Sequence, residues 1–227
     1  MKKVVPSTLT SLNLLCGFWA ILVNDPQLSF YLVLVAIGFD FVDGLSARAL
    51  KVQSLFGKEL DSLADMVTFG VVPGFLYYHH VLQPLADGTL ASVGLMLLAT
   101  LVPVCAGLRL AKFNVKDSGK KEFSGMPSSA AALMIVSIPY LGLEWVSWTG
   151  NWPLIALPLV FSLLMVSKLR MFSLKNLNGG WKANLFPIIY ALGMLPLIFL
   201  LGSYALPVSI LWYLMLSLVY AVFTEPS

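Results

Sequence analysis

Eight stretches of this chain are apolar for long enough to call for lipid, not water, as their solvent. They cover roughly 8–23, 28–48, 58–79, 90–111, 127–148, 152–168, 184–201 and 205–223. A membrane-crossing helix needs about 20 mostly apolar residues. In hydrocarbon every backbone N–H and C=O must be satisfied inside the segment, so each run is expected to be helical. Pro103, Pro139, Pro158 and Pro196 fall within these runs; packed neighbours can satisfy the carbonyls they free. The balance of the whole chain agrees, with 59% apolar and 11% charged residues, against about 25% charged in an average soluble domain. The expectation is an all-α integral membrane protein, a single domain over 1–227 with about eight transmembrane helices.

The basic residues orient those helices. With eight spans and both termini cytoplasmic, the inner segments are 1–7, 49–57, 112–126, 169–183 and 224–227. All fourteen Lys and Arg residues lie in them or within about a turn of them. The outer loops carry Asp25 and Asp87, with Glu144 nearby, and no basic residue. This is the bias expected of a multi-pass protein of the cell (inner) membrane. Lys2 and Lys3 before an apolar stretch resemble a signal peptide, but the stretch ends in Val23-Asn24-Asp25-Pro26 without a small-x-small cleavage site, so it reads as a retained first span. The inner loops are too short for a core of their own. Any chemistry therefore belongs between the helices of the inner leaflet, facing the cytoplasm. Cys16 and Cys105 lie inside apolar runs and suggest neither disulfide nor zinc. His79 and His80 end the third run on the outer side, far from the acidic residues described next. Trp145, Trp148 and Trp152 suit an outer interfacial belt. Lys116, Lys120 and Lys121 suit contact with anionic lipid, and no nucleic-acid partner is expected.

Asp40, Asp43, Asp61 and Asp65 break the apolar rule within the second and third runs. Ionisable groups in a span are costly and mark function by default. Asp40 and Asp43 are i, i+3 and share a helix face; Asp61 and Asp65 are i, i+4 and do the same. With Arg48 and Gly57 at the inner boundary, Asp43 and Asp61 lie about 6–7 Å deep and Asp40 and Asp65 about 12 Å deep. Four carboxylates in one layer cannot all stay ionised in low dielectric unless cations neutralise them. Oxygen ligands select hard divalent ions such as Mg²⁺, Mn²⁺ or Ca²⁺. Two such ions would balance four charges and attract phosphate oxygens, an arrangement suited to displacement at phosphorus. The blander readings are interhelical hydrogen bonding and an ion pathway. A cation transporter or channel should carry polar groups through both halves of the membrane, whereas Leu28–Phe39 and Phe69–Tyr78 contain no carboxylate.

Residues 40–65 fit Asp-x2-Asp-Gly-x2-Ala-Arg-x8-Gly-x3-Asp-x3-Asp at all eight fixed positions. A chance match is on the order of 10⁻¹⁰ per start point at average residue frequencies. The pattern resembles the signature of the CDP-alcohol phosphotransferases. The flanks, Pro6-x-Thr8-Leu9-Thr10-Ser11-Leu12-Asn13, Arg109-Leu110-Ala111-Lys112-Phe113-Asn114 and Phe123-Ser124-Gly125-Met126-Pro127, are similar to those of the family's membrane-integrated phosphatidylserine synthases. Ser128-Ser129 and Lys112 depart from their usual pattern. The resemblance covers about residues 5–135.

It implies two divalent ions, Mg²⁺ or Mn²⁺, held by Asp40, Asp43 and Asp61, with Asp65 sharing the site as catalytic base. It implies Gly44, Ala47, Arg48 and Gly57 around the CDP moiety of CDP-diacylglycerol, L-serine as acceptor, CMP as leaving group, and a homodimer. Glycerol 3-phosphate or inositol phosphate are the alternative acceptors. Arg109, near the inner end of the fourth run, is the cation best placed for the serine carboxylate. Lys112 and Asn114 lie one turn further out. Asn13 is either a substrate contact or a helix–helix hydrogen bond. Gly70-x3-Gly74 with Pro73 reads as a packing or kinking element.

Overall fold

The computed structural model describes residues 4–52, 54–117, 123–141, 150–172 and 185–223. Lys2, Lys3, Lys120, Lys121, Glu144, Trp145, Trp148, Lys175 and Lys182 lie outside the described residues. The described chain is almost wholly helical. It begins with α1 (Val4–Val23) and α2 (Pro26–Ala49). A third run joins α3 (Leu55–Met66), a π turn (Val67–Val71), α4 (Val72–Tyr77), a second π turn (Tyr78–Leu82) and a 3₁₀ turn (Gln83–Leu85). Then come α5 (Gly88–Lys112) with a π turn (Phe113–Asp117), α6 (Ser128–Leu141), α7 (Trp152–Val166), α8 (Leu185–Leu201) and α9 (Ala205–Phe223). Val4–Val23, Pro26–Ala49, Gly88–Val115 and Leu185–Val222 are long and apolar enough to cross a membrane; Ser128–Leu141 and Trp152–Val166 are shorter apolar helices. The chain is thus an all-α membrane protein.

Leu185–Val222 is a hairpin, not one rod. A 3₁₀ turn at Gly202–Tyr204 separates α8 from α9, and a Cβ on Gly193 would lie 2.6 Å from Trp212 Nε1. Those residues are nearly equidistant from the turn, so the helices fold back on each other.

The turns follow from local chemistry. Asp25 caps α2 by accepting from Leu28 N at 2.8 Å, with Pro26 beginning the helix, as expected of an N-cap. Ser54 caps α3 by accepting from Gly57 N at 3.1 Å. Ser29 Oγ donates to Ala20 O at 2.8 Å across the α1–α2 hairpin. Gly70 and Gly74 pack against α5: a Cβ on Gly70 would lie 3.0 Å from Ala106 Cβ, and one on Gly74 3.0 Å from Ala99 O. Their role is a close helix seam within one chain, the work small residues do between membrane helices.

Side-chain contacts join alternate ends of successive runs. At one end His80 Nε2 and Asn24 Oδ1 lie 3.0 Å apart, Phe30 stacks on Tyr140, and Tyr140 donates to Ser203. At the other, Lys58 Nζ donates to Asn114 O at 3.0 Å, and a two-residue antiparallel ribbon pairs β1 (Phe123–Ser124) with β2 (Arg170–Met171). One buried cluster includes Tyr77, Ala106, Met126, Ile135, Phe161 and Tyr213. A second gathers Ala20, Phe30, Val33, Val72, Leu76 and Val136.

Gly125 is where the ribbon needs a glycine. Its φ is +83, its N–H donates to Leu169 O at 2.9 Å, and a Cβ there would run into the Met165 carbonyl oxygen. Gly125→Ala is therefore expected to destabilise by about 1–3 kcal/mol, from the left-handed backbone alone. The check is the melting temperature in detergent, against Gly94→Ala, whose Cβ meets open space and which should leave it unchanged or higher.

Candidate metal centre

Two helices supply the acidic groups. Asp40 and Asp43 lie one turn apart near the end of α2, and Asp61 and Asp65 one turn apart on α3. The helix α1 packs against both α2 and α3, and the aspartates of the two helices approach one another beside it. One carboxylate oxygen each from Asp40, Asp61 and Asp65 lies within 4.8 Å of the others, and all three residues are half-buried. At that spacing each pair of charges repels by about 3.5 kcal/mol at an effective dielectric of about 20. A cation relieves that repulsion, and an all-carboxylate donor set fits a hard divalent ion. The three residues could hold one.

Asp43 stands apart from this group. It is 5% exposed, and its Oδ2 accepts a 2.6 Å hydrogen bond from Thr10 Oγ1. Asp65 is tied to α1 as well: Asn13 Nδ2 donates to its Oδ1 at 3.2 Å. Asn13 is fully buried, and Thr68 Oγ1 donates to its carbonyl at 3.3 Å. Gly17 lets the helices meet here, since a Cβ on it would lie 2.5 Å from Thr68 Oγ1. Thr10, Asn13 and Gly17, at i, i+3 and i+7, form one polar, small-residue face of α1. That spacing was the available signal for Thr10; nothing in the sequence singled out Thr68.

The other expected residues divide. Arg109 reaches the site from α5: its Nη1 donates to Ser128 Oγ at 3.1 Å, and it interacts electrostatically with Asp65 and Asp40. Its Nε is buried with no hydrogen-bond partner. Asn114 turns to α3, its Nδ2 donating to Ser62 Oγ at 2.8 Å between Asp61 and Asp65. Lys112 is half-buried at the end of α5. Gly44 faces open space where a Cβ would stand, which leaves room for a ligand beside Asp43. Arg48 is exposed, and its Nε donates back to Gly44 O at 3.1 Å. Ala47 is half-buried. Gly57 sits in the first turn of α3, its N–H on the Ser54 cap.

Residues 3–164 match the CDP-alcohol phosphatidyltransferase family. The chain belongs to that family. The matched stretch contains every group described above, from Thr10 to Ser128, and ends before α8. Individual relatives carry a more specific name. The chain is 36% identical to a CDP-diacylglycerol–serine O-phosphatidyltransferase of Bacillus subtilis over 78% of its own length and 97% of that protein's. It is 30% identical to one of Helicobacter pylori over 96% of its own length and 91% of the other's. One of Mycobacterium leprae is 34% identical over 74% of this chain, which spans only 58% of that longer protein.

Proposed function

We propose that the chain transfers the phosphatidyl group of CDP-diacylglycerol to the hydroxyl of L-serine, giving phosphatidylserine and CMP. The observation that carries this reading is the convergence of Asp40, Asp61 and Asp65 oxygens within 4.8 Å, inside the eight-position motif of the family. The names of the relatives supply the substrates.

In this reading Asp40, Asp43, Asp61 and Asp65 hold two Mg²⁺ or Mn²⁺ ions. When bound, such ions neutralise the pyrophosphate oxygens and increase the electrophilicity of the phosphorus. Gly44, Ala47, Arg48 and Gly57 flank the CDP moiety, with open space at Gly44 for the nucleotide. Arg109 binds the serine carboxylate, Ser128 steadies its guanidinium, and Lys112 adds positive charge nearby. Asp65 takes the serine hydroxyl proton as that oxygen bonds to phosphorus and the bond from phosphorus to the CMP oxygen breaks. Asn13 and Asn114, hydrogen-bonded to Asp65 and Ser62 on α3, are the candidate contacts for serine or the donor.

The chain forms one domain of eight membrane-spanning runs with cytoplasmic termini, in the cell membrane. The alternation of end-to-end contacts and the placement of Lys and Arg support this topology. Its site then opens to the cytoplasm, where serine and anionic lipid headgroups meet it, and the helices pair in a homodimer.

An acceptor screen tests the reaction. Purified protein in detergent should release CMP from CDP-diacylglycerol only when L-serine and Mg²⁺ or Mn²⁺ are both present. Release with glycerol 3-phosphate or inositol phosphate, and none with serine, would reassign the acceptor.

A further inference from the structure

We propose that Thr10 is a positioning residue that fixes the Asp43 carboxylate for a divalent cation. The proposal rests on the reading of Asp43 as a metal ligand. Thr10 is 3% exposed and Asp43 5%, so their 2.6 Å hydrogen bond is out of competition with bulk water. It joins α1 to α2 across 33 residues of sequence. A hydroxyl donating to a carboxylate at this length is a charge-assisted bond, roughly twice as strong as a neutral one.

The Thr10 hydroxyl has a second acceptor in reach, Pro6 O at 3.0 Å on its own helix. One hydroxyl proton serves one acceptor well. The carboxylate is closer and charged, so it takes the proton, while the Pro6 carbonyl is the ordinary back-bonding partner of a helical threonine. Losing Asp43 would therefore leave Thr10 with the Pro6 carbonyl as acceptor, whereas losing Thr10 would take from Asp43 Oδ2 this short, buried donor.

Asp43 needs such a partner because its place differs from that of the other three aspartates. Asp40, Asp61 and Asp65 already have oxygens within 4.8 Å of one another. Asp43 lies outside that group, one turn toward the end of α2, and its contribution depends on how its carboxylate plane is held. The bond from Thr10 ties Oδ2 to α1, and α1 is seated tightly through Gly17 on Thr68. Hydrogen-bond partners of metal-binding carboxylates typically change metal affinity by 10–100-fold when removed.

The test uses the full chain in detergent, with Mn²⁺ binding read by the loss of the free-ion electron paramagnetic resonance signal. T10V keeps the side-chain volume and removes the donor; it should weaken Mn²⁺ binding by about 10–100-fold. T10S keeps the hydroxyl and should stay within about threefold of the parent. D43N should weaken binding too, and adding T10V to D43N should cost little more, because the two residues act through one bond. If T10V does not fold, T10A carries the same expectation. Unchanged Mn²⁺ affinity with only a lower melting temperature would overturn the proposal and make Thr10 a packing residue. Tighter binding in T10V would also overturn it, since Thr10 would then compete with the ion. Parent-like affinity in D43N would instead remove Asp43 from the metal site, and with it the reading on which the proposal rests.

Discussion

Asp65→Asn is expected to lower CMP release by about 10²–10⁴-fold, the usual range for loss of a positioned general base, while CDP-diacylglycerol still binds. The substitution is conservative in shape. Asn13 Nδ2, which donates to Asp65 Oδ1 at 3.2 Å, can donate equally to the amide oxygen that replaces it, so the α1–α3 contact survives. What disappears is one negative charge and the capacity to take up the serine proton. Asp61→Asn removes a charge from the same group of oxygens and should weaken both metal binding and turnover. Donor binding and single-turnover CMP release, measured separately on the two variants, distinguish these roles. Equal loss of nucleotide binding in both would leave Asp65 a ligand alone, like the other three aspartates, and place the base elsewhere.

Arg109→Ala is expected to raise the apparent KM for serine by roughly 10- to 150-fold, the equivalent of about 1.5–3 kcal/mol for a charge-assisted hydrogen bond. Arg109→Lys should raise it less, because a point charge replaces a planar fork. The KM for CDP-diacylglycerol should change little in either. Ser128 Oγ already accepts from Nη1 at 3.1 Å, which anchors one arm of the guanidinium, and the buried Nε makes no hydrogen bond within the protein. The guanidinium also interacts electrostatically with Asp65, the group that receives the serine proton in the proposed reaction. Serinol, which lacks the carboxylate, should be a poor acceptor for the parent and should lose less in the Arg109→Ala variant. A serine KM within about twofold of the parent in Arg109→Ala would rule out this contact. Loss of CDP-diacylglycerol binding instead would move Arg109 to the donor phosphates.

Much of the site was legible because helical spacing is rigid. Asp40 with Asp43 and Asp61 with Asp65 each had to share a face; that Asp40 meets Asp61 and Asp65 depends also on α1, which packs against both helices. The hairpin of α8 and α9 was legible as two apolar runs separated at Gly202-Ser203-Tyr204. The contacts of α1 were not. Asn13 was equally compatible with a substrate and with a neighbouring helix, because the periodicity of α1 does not say which helix its polar face meets. That depends on Gly17 fitting over Thr68, a match between residues far apart in the sequence. The hydrogen bond of Asn114 to Ser62 was not legible either, because the chain beyond α5 continues through a π turn whose direction the sequence does not show. The ribbon of Phe123–Ser124 with Arg170–Met171 was invisible: two-residue strands carry no periodicity, and their pairing depends on the packing of α6 and α7.

The π turn at Val67–Val71 separates two kinds of evolutionary freedom. Pro73 has no N–H to offer the Phe69 carbonyl, and its ring crowds that carbonyl; a turn with one extra residue takes up the mismatch. Upstream stand Asp61 and Asp65; Gly70 lies within the turn and Gly74 downstream of it, both against α5. Deleting the extra residue of the turn would return this run to a regular helix and keep the aspartates and Gly74 on the faces they now hold, but it would bring back the clash at Pro73. Homologues one residue shorter at this point should show a gap in the turn, no proline in place of Pro73, and a small residue still aligned with Gly74. The aspartate spacing should stay constant across the same gap, which makes this turn the natural place to look for slippage when distant relatives are aligned.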